Sequence, residues 1–150
     1  MHNKIDFINQ TDYKANQNFL EFLEKILEKI LRDSNLCNKQ CELLLVDNPT
    51  IQALNCSHRN KDMPTDVLSF PLESEFSLLL GSIVISLDFV KSASAKLNHS
   101  LEDEIALLFI HGALHLIGFD HEIDNGEHRT KEEEIITFFN LPKSLITRNS

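Results

Sequence analysis

The sequence has few cysteines, and their pattern excludes a disulfide framework. Only three cysteines are present among 150 residues, Cys37, Cys41 and Cys56, and none of them forms a C-x-x-C pair. An odd number without such pairs is typical of a reducing compartment. Cys37 and Cys41 are four residues apart, which would allow a shared helix face and a metal role, but small buried hydrophobic side chains are the simpler interpretation.

The sequence also lacks the long apolar segments that export and membrane insertion require. Its beginning, MHNKIDFINQTDYKANQNF, mixes charged and amide side chains with single hydrophobic residues and so contains no secretory signal core. Apolar stretches such as IALLFIHGALHLIGF are shorter than a bilayer span and are interrupted by histidines. We therefore expect a cytoplasmic protein with no transmembrane helix and no membrane partner.

Positive charge is scarce as well. The formal net charge is −9, from 14 basic and 23 acidic side chains. Broad affinity for nucleic acid comes mainly from Lys and Arg, which displace counterions from phosphates. A chain of this charge that acts on RNA must therefore use a metal or a local basic patch, which the HRNK stretch at 58–61, Lys91 and Lys96 permit.

The chain has no internal repeat, no low-complexity segment and no linker able to divide it, so we expect one domain over residues 1–150. Hydrophobic spacing and capping residues predict strands and helices in an order that is typical of an α+β fold, a small mixed sheet packed with helices. The polar residues at 141–150 are expected to form a loose tail. The predicted strands are 4–9, 41–47, 66–72 and 81–87, and the predicted helices are 16–33, 48–58, 88–99, 101–116 and 127–140.

Local signals define the ends of several predicted helices. Asn48 before Pro49 is typical of an N-cap followed by a proline at the first helical position. Ser100, with Asp103 three residues later, has the spacing of a capping box. Gly118 is placed to end the helix that Ser100 begins, since glycine adopts the left-handed conformation found after many helices.

Three histidines lie within eleven residues, in the stretch HGALHLIGFDH at 111–121. On a helix, residues four apart differ by about 40° around the axis, so His111 and His115 project from one face, and a turn at Gly118 lets His121 complete the set. Three nitrogen ligands with a fourth position open are typical of catalytic zinc. Hydrogen-bonded core histidines are the alternative, but three clustered imidazoles without a shared partner leave many polar nitrogens to satisfy. We therefore predict one zinc site at the end of the penultimate helix.

The spacing H-x3-H-x5-H is also that of the metzincin proteases, in which a glutamate after the first histidine is the general base. Here that position is Gly112, which has no side chain to move a proton. Peptide hydrolysis by that mechanism is therefore disfavoured.

Three stretches of the sequence carry a resemblance to a known family. HGALHLIGFDH resembles the H-G-x-L-H-L-x-G-[YF]-D-H signature of the YbeY family of bacterial endoribonucleases. RNKDMPTDVLSFPL at 59–72 resembles that family's arginine followed by T-D-V-L-S-F-P, and LGSIVIS at 80–86 resembles its L-G-D-I-x-I-S strand. The match covers about residues 45–121, in the right order and spacing.

The resemblance implies an activity, partners and site residues. The activity is a single-strand-specific, metal-dependent RNase of ribosomal RNA maturation, notably at the 3′ end of the small-subunit RNA, and of ribosome quality control. The implied partners are precursor rRNA, the small ribosomal subunit and its assembly factors. The family's histidines fall on His111, His115 and His121, and its arginine falls on Arg59, which is the candidate catalytic residue. Ser82 stands where the family usually has aspartate, which puts a charge-dependent role at that position in doubt.

The chemistry of these residues suits phosphodiester cleavage. A metal with an open site lowers the pKa of bound water and polarises a phosphoryl oxygen. The planar fork of Arg59 suits a scissile phosphate, although a surface salt bridge is the alternative for this residue. No general base is apparent. Asp120, Glu122 and Asp66 are candidates to orient a histidine or relay a proton, and capping of a turn is an equal alternative for Asp120.

Other polar residues are expected to have structural or surface positions. Asp66 is expected to fix the turn before its strand. His58 is a possible RNA contact, but we expect it to be exposed to solvent. The remaining histidines carry no motif and are expected at the surface: His2, His99 and His128.

Two other functions remain open at the level of sequence. The first is a ribosome-assembly factor without catalytic activity, in which the metal is structural. The second is a metal-dependent peptidase, which the histidine spacing favours and Gly112 opposes.

Overall fold

The computed structural model describes residues 4–72, 77–120 and 122–142. Within them the elements follow the predicted order and form the predicted α+β domain, with four strands and five helices. The predicted loose tail lies outside these residues from position 143 onward, as do His2 and His121. The strands are β1 (Ile5–Asn9), β2 (Gln40–Val46), β3 (Val67–Pro71) and β4 (Leu79–Ser86); the helices are α1 (Gln17–Asp33), α2 (Asn48–Arg59), α3 (Leu87–Leu97), α4 (Leu101–Leu116) and α5 (Glu127–Phe138).

The strands form one mixed sheet in the order β1-β2-β4-β3. β1, β2 and β4 run parallel, and β3 pairs antiparallel with β4 at the edge. Pro71 is the last residue of β3, a position at the sheet edge where a missing N–H is tolerated. No helix among the described residues combines the length and the apolar character needed to cross a membrane.

α4 is the central helix of the core. It packs against β3 and β4 on one side and contacts α1, α3 and α5. Nearly every residue from Glu104 to Leu116 is buried, and only His111 and His115 in that stretch are partly exposed. A helix that is apolar on most of its surface needs neighbours all round, and here the sheet and three helices provide them.

The structure corrects one predicted cap. Asp47, rather than Asn48, is the N-cap of α2, because its side chain accepts the backbone N–H of Thr50 at 3.0 Å. Asn48 has a different role, since its side-chain oxygen accepts a hydrogen bond from Ser86 Oγ at 2.7 Å. Both residue types favour capping positions, so the sequence alone did not separate two adjacent candidates.

The cysteines do not share a helix face. Cys41 lies in β2 and is buried, whereas Cys37 and Cys56 are exposed. The interpretation as a small buried hydrophobic side chain therefore holds for Cys41 alone.

Candidate active site

Capping residues fix the position of α4 and therefore of its histidines. Ser100 is the N-cap and its Oγ accepts the N–H of Asp103 at 3.0 Å, as the sequence predicts. The helix ends at Leu116, and Gly118 follows with a φ of +114°, in the left-handed region that favours glycine. His111 and His115 consequently lie in the last two turns of a buried helix.

A cleft of about 420 Å³ opens over the C-terminal part of α4. The structure brings three of the four predicted site residues to this cleft, since Arg59, His111 and His115 all line it. The fourth, His121, lies outside the described residues. Among the described residues, the lining comes from α2, β3, α4 and the segment after α4 and includes His58, Arg59, Val67, Ser69, Phe70, His111, His115, Asp120 and Glu122.

Arg59 reaches the cleft from the end of α2. Its Nη2 lies 3.6 Å from Oε1 of Glu122, and the two side chains are 44% and 62% exposed. An ion pair this open to water contributes little energy, so the guanidinium can exchange partners readily. Arg59 therefore forms the surface salt bridge that was the alternative for it, and it also lines the cleft.

Two rings form a further part of the cleft wall. His58 is exposed, as expected, and its ring packs on that of Phe70 with the centroids 4.9 Å apart and the planes tilted by 59°. The wall of the cleft thus places an aromatic pair next to Arg59.

His111 is held from behind by two residues of α5. Its Nδ1 is hydrogen-bonded to Oε1 of Glu132, whose side chain is 4% exposed. The ring of His128 stacks on the ring of His111, with the centroids 4.5 Å apart and the planes 18° from parallel. His128 Nε2 also lies 3.1 Å from the backbone carbonyl oxygen of His111 and donates a hydrogen bond to it.

The expected surface positions of His128 and His99 are wrong. The side chain of His128 is fully buried against α4. His99 is buried beside Glu104, with Nε2 2.7 Å from the carboxylate oxygen Oε1. Each imidazole is buried with a carboxylate at hand, which offsets the cost of removing a polar ring from water.

The sequence did contain a signal for the two α5 residues. His128, Glu132, Ile135 and Ile136 are the buried residues of α5, and they follow the spacing i, i+4, i+7 and i+8 of one helix face. Two polar residues on an otherwise apolar stripe require a buried partner. His111 is that partner, but only the docking of α5 on α4 identifies it.

His111, His128 and Glu132 also form a group that could hold a metal. Each residue offers one ligand atom, and these atoms lie within 4.8 Å of one another. Of the described members of the set predicted from the sequence, His111 belongs to this group and His115 does not.

The acidic candidates have local structural contacts. Oδ1 of Asp120 accepts the N–H of Glu122 at 3.0 Å, which is the turn-capping role considered for it, although Asp120 also lines the cleft. Oδ1 of Asp66 accepts the N–H of Val67 at 2.7 Å, in agreement with the expected role before β3.

Comparison with known proteins identifies the family. The family model described as Endoribonuclease YbeY matches residues 5–140. The proteins named Endoribonuclease YbeY from Nautilia profundicola and Aliarcobacter butzleri are each 52% identical to this chain; the matches cover 97% of it and 98% and 99% of those relatives. The chain belongs to the YbeY family. The fold agrees, since the solution structure of TM1509 from Thermotoga maritima matches with a TM-score of 0.62 and 28% identity, over 96% of this chain and 90% of that one.

Membership of the YbeY family confirms the resemblance found in the sequence and extends it beyond residues 45–121.

Ser82, which stands where the family usually has aspartate, faces a carboxylate on the neighbouring strand. Ser82 on β4 lies opposite Glu42 on β2, and its Oγ donates a hydrogen bond of 2.6 Å to Oε1 of Glu42. An aspartate at 82 would face a second carboxylate across the strands, which is unfavourable.

Gly112 faces the sheet. A Cβ at this position would lie 2.8 Å from Cγ2 of Ile83 and 3.1 Å from Oγ of Ser69. A glutamate would therefore have no room here, so this chain excludes the metzincin type of base by its packing as well as by its sequence.

Proposed function

We propose that this chain is a metal-dependent endoribonuclease that cleaves single-stranded RNA, acting in the cytoplasm on the 3′ end of small-subunit precursor rRNA and in ribosome quality control. The observation that carries the proposal is the cleft in which Arg59 lies with His111 and His115. Relatives about half identical to this chain bear the name Endoribonuclease YbeY. Three cysteines that form no disulfide fit a reducing compartment.

The residues of the cleft fit a metal ion. His111 is 28% exposed and lines the cleft, while its Nδ1 is hydrogen-bonded to the buried Glu132, so His111 would bind a metal through Nε2. We propose that His111, His115 and His121 would hold one zinc ion. When bound, such an ion supplies a Lewis acid and an activated water for attack on phosphorus.

The group of His111, His128 and Glu132 fits an ion less well. Nε2 of His128 donates to a backbone carbonyl, so this nitrogen carries a proton and has no lone pair for a metal. Glu132 contacts Nδ1 of His111 directly, whereas two ligands of one tetrahedral zinc stand about 3.3 Å apart. Both α5 side chains are buried, and a hydrolytic site needs an open position for water and substrate.

Arg59 binds the scissile phosphate in this proposal. Its guanidinium offers a planar fork of donors and is exposed enough to leave Glu122 for a phosphate. Because the chain has a net charge of −9, this local cation and the proposed zinc ion would supply the attraction for a polyanion at the site.

The aromatic wall of the cleft supports the preference for single strands. Unpaired bases can splay out and stack on side chains such as Phe70 and His58, whereas the bases of a duplex are stacked on one another. The proposed substrate is therefore an RNA whose bases are free near the cleavage site.

The test compares RNA cleavage and metal content on the same samples of wild type, His115→Ala, Arg59→Ala and Lys61→Ala. Lys61 is exposed, lies two residues from Arg59 and does not line the cleft, so it controls for loss of a positive charge. We expect about one zinc per chain in wild type, loss of zinc in His115→Ala, and retained zinc without cleavage in Arg59→Ala. Lys61→Ala should keep its zinc and the wild-type kcat, and a duplex of the same RNA should be cut more slowly than the single strand.

Four results would contradict this proposal. Equal zinc content in wild type and His115→Ala would remove the metal assignment, and undiminished cleavage by Arg59→Ala would remove the role of Arg59. A wild-type protein that retains its zinc in the presence of a chelator and cleaves no RNA would favour an assembly factor with a structural metal. Cleavage of a peptide library that tracks metal content would favour a peptidase instead.

A further inference from the structure

We propose that Glu132 and His128 are positioning residues, which fix the tautomer and the ring plane of His111 so that its Nε2 is presented to the cleft. The proposal rests on the proposed function, since it assumes that His111 holds a metal. The juxtaposition behind it consists of one hydrogen bond from a buried carboxylate and one stacked, hydrogen-bonded imidazole.

Glu132 determines which nitrogen of His111 carries the proton. An ionised carboxylate only accepts hydrogen bonds, so its contact with Nδ1 requires a proton on that nitrogen. A neutral imidazole has one ring proton, so Nε2 then carries a lone pair and no hydrogen.

His128 restricts how the ring of His111 can rotate. The two rings lie nearly parallel, 18° apart with centroids separated by 4.5 Å, so rotation of His111 about its side-chain bonds would collide with His128. His128 is itself anchored to α4, because its Nε2 donates to the carbonyl oxygen of His111 at 3.1 Å. The ring that holds His111 is thus attached to the backbone of His111.

The position of both residues follows from the docking of α5. Ile135 and Ile136 continue the same buried face and pack into the main core, which brings the preceding turns of α5 against the end of α4. If the only role of the polar pair were to attach α5, apolar side chains of similar volume would serve at least as well. A carboxylate that is hydrogen-bonded to a ring nitrogen of a cleft residue is explained better if that ring has to be held in one tautomer and one orientation.

The deciding experiment measures zinc affinity by competition with a chelator in wild type, Glu132→Ala, Glu132→Gln, His128→Phe and Glu133→Gln. Glu132→Ala should weaken zinc binding about 10- to 100-fold, the usual effect of removing the partner of a metal-bound histidine. Glu132→Gln should recover most of this loss, because the amide oxygen accepts the same N–H. Glu133, exposed at 42% and paired with Arg129, is the neighbouring control and should leave the affinity unchanged.

A second measurement needs no substitution. Ring ¹⁵N NMR of the metal-free wild type reports which nitrogen of His111 is protonated, and the proposal requires the proton on Nδ1.

The visible spectrum of the Co²⁺-substituted protein reports the geometry of the metal ligands. This spectrum should change in His128→Phe, although the variant still binds zinc. A purely structural role for α5 would lower the unfolding midpoint without moving the spectrum.

The outcomes separate this inference from the proposed function. Zinc binding that depends on His115 but is equal in Glu132→Ala, or a proton on Nε2 of His111, would overturn the inference and leave the proposed function intact. Zinc binding that survives His115→Ala but is abolished by both Glu132→Gln and His128→Phe would overturn both, because the α5 residues would then be the ligands.

Discussion

Neutralising Glu122 should tighten RNA binding through Arg59. The two side chains form an ion pair at 3.6 Å inside the cleft, so a phosphate bound by Arg59 as proposed would compete with the carboxylate for one guanidinium. Glu122→Gln removes this competition and nearly preserves the volume of the side chain. We therefore expect a lower KM for single-stranded RNA and little change in kcat.

The size of the effect follows from the exposure of the pair. With side chains 44% and 62% exposed, the pair belongs to the class worth about 0.2–1 kcal/mol, so its loss corresponds to roughly 1.4- to 5-fold in affinity. The carboxylate also repels the phosphate itself, by about 0.6 kcal/mol for unit charges some 7 Å apart in water before screening by salt. Together these effects predict a KM lower by about 2- to 10-fold at low salt.

A double-mutant cycle on the Kd for single-stranded RNA isolates the contribution of Arg59, because binding can be measured in Arg59→Ala even though its cleavage is expected to be lost. In the background of Arg59→Ala, Glu122→Gln should improve RNA affinity only slightly, because only the repulsion between Glu122 and the phosphate is removed. The competition between Glu122 and the phosphate for Arg59 is already absent there. Glu133→Gln is the matched control, because Glu133 forms an ion pair of similar exposure with Arg129, at 3.5 Å, outside the cleft. An equal fall of KM in Glu133→Gln, or an effect of Glu122→Gln that is fully additive with Arg59→Ala, would refute this reasoning.

Two further predictions concern stability and reactivity. Gly81→Ala should lower the free energy of unfolding by more than the roughly 1–3 kcal/mol of backbone strain alone, because φ is +147° and a Cβ would lie 2.2 Å from the carbonyl oxygen of Phe70. Gly126→Ala is the control, since φ is +102° there and no atom lies within 4 Å of the added Cβ. Urea denaturation should therefore find a smaller loss of stability in Gly126→Ala than in Gly81→Ala. In thiol alkylation at mildly alkaline pH, exposed Cys37 and Cys56 should react and Cys41 should not, because burial raises the pKa of the Cys41 thiol to about 12. Reaction of all three in the folded protein, or equal losses in the two glycine variants, would contradict these predictions.

The sequence predicted α4 closely because its boundaries depend on local chemistry. Ser100 caps the first turn and Gly118 follows the last one, and neither effect requires knowledge of the tertiary structure. The same argument was wrong by one residue at α2, where Asp47 and Asn48 offered equivalent side chains. Local signals therefore located the histidine helix but did not choose between neighbouring caps.

The support of His111 could not be predicted in the same way. His128 and Glu132 lie in a run rich in charged residues, and charge in a helix usually indicates a solvated face. Their burial depends on α5 packing across the end of α4, which is a relation between segments seventeen or more residues apart. Periodicity identifies the buried face of α5, but only the contact with α4 gives His128 and Glu132 a function.

The close approach of α4 to the sheet explains both what the cleft contains and what it lacks. Gly112 is in near contact with Ile83 and Ser69, so no larger residue fits at the position where a metzincin has its base. The same proximity brings Ser69 and Phe70 of β3 to the face of the helix that carries His111 and His115. A glutamate at 112 would push the helix away from β3 and open the wall that these side chains form. The close approach of α4 to β3 therefore accounts both for the missing base at position 112 and for the position of Ser69 and Phe70 beside the two histidines.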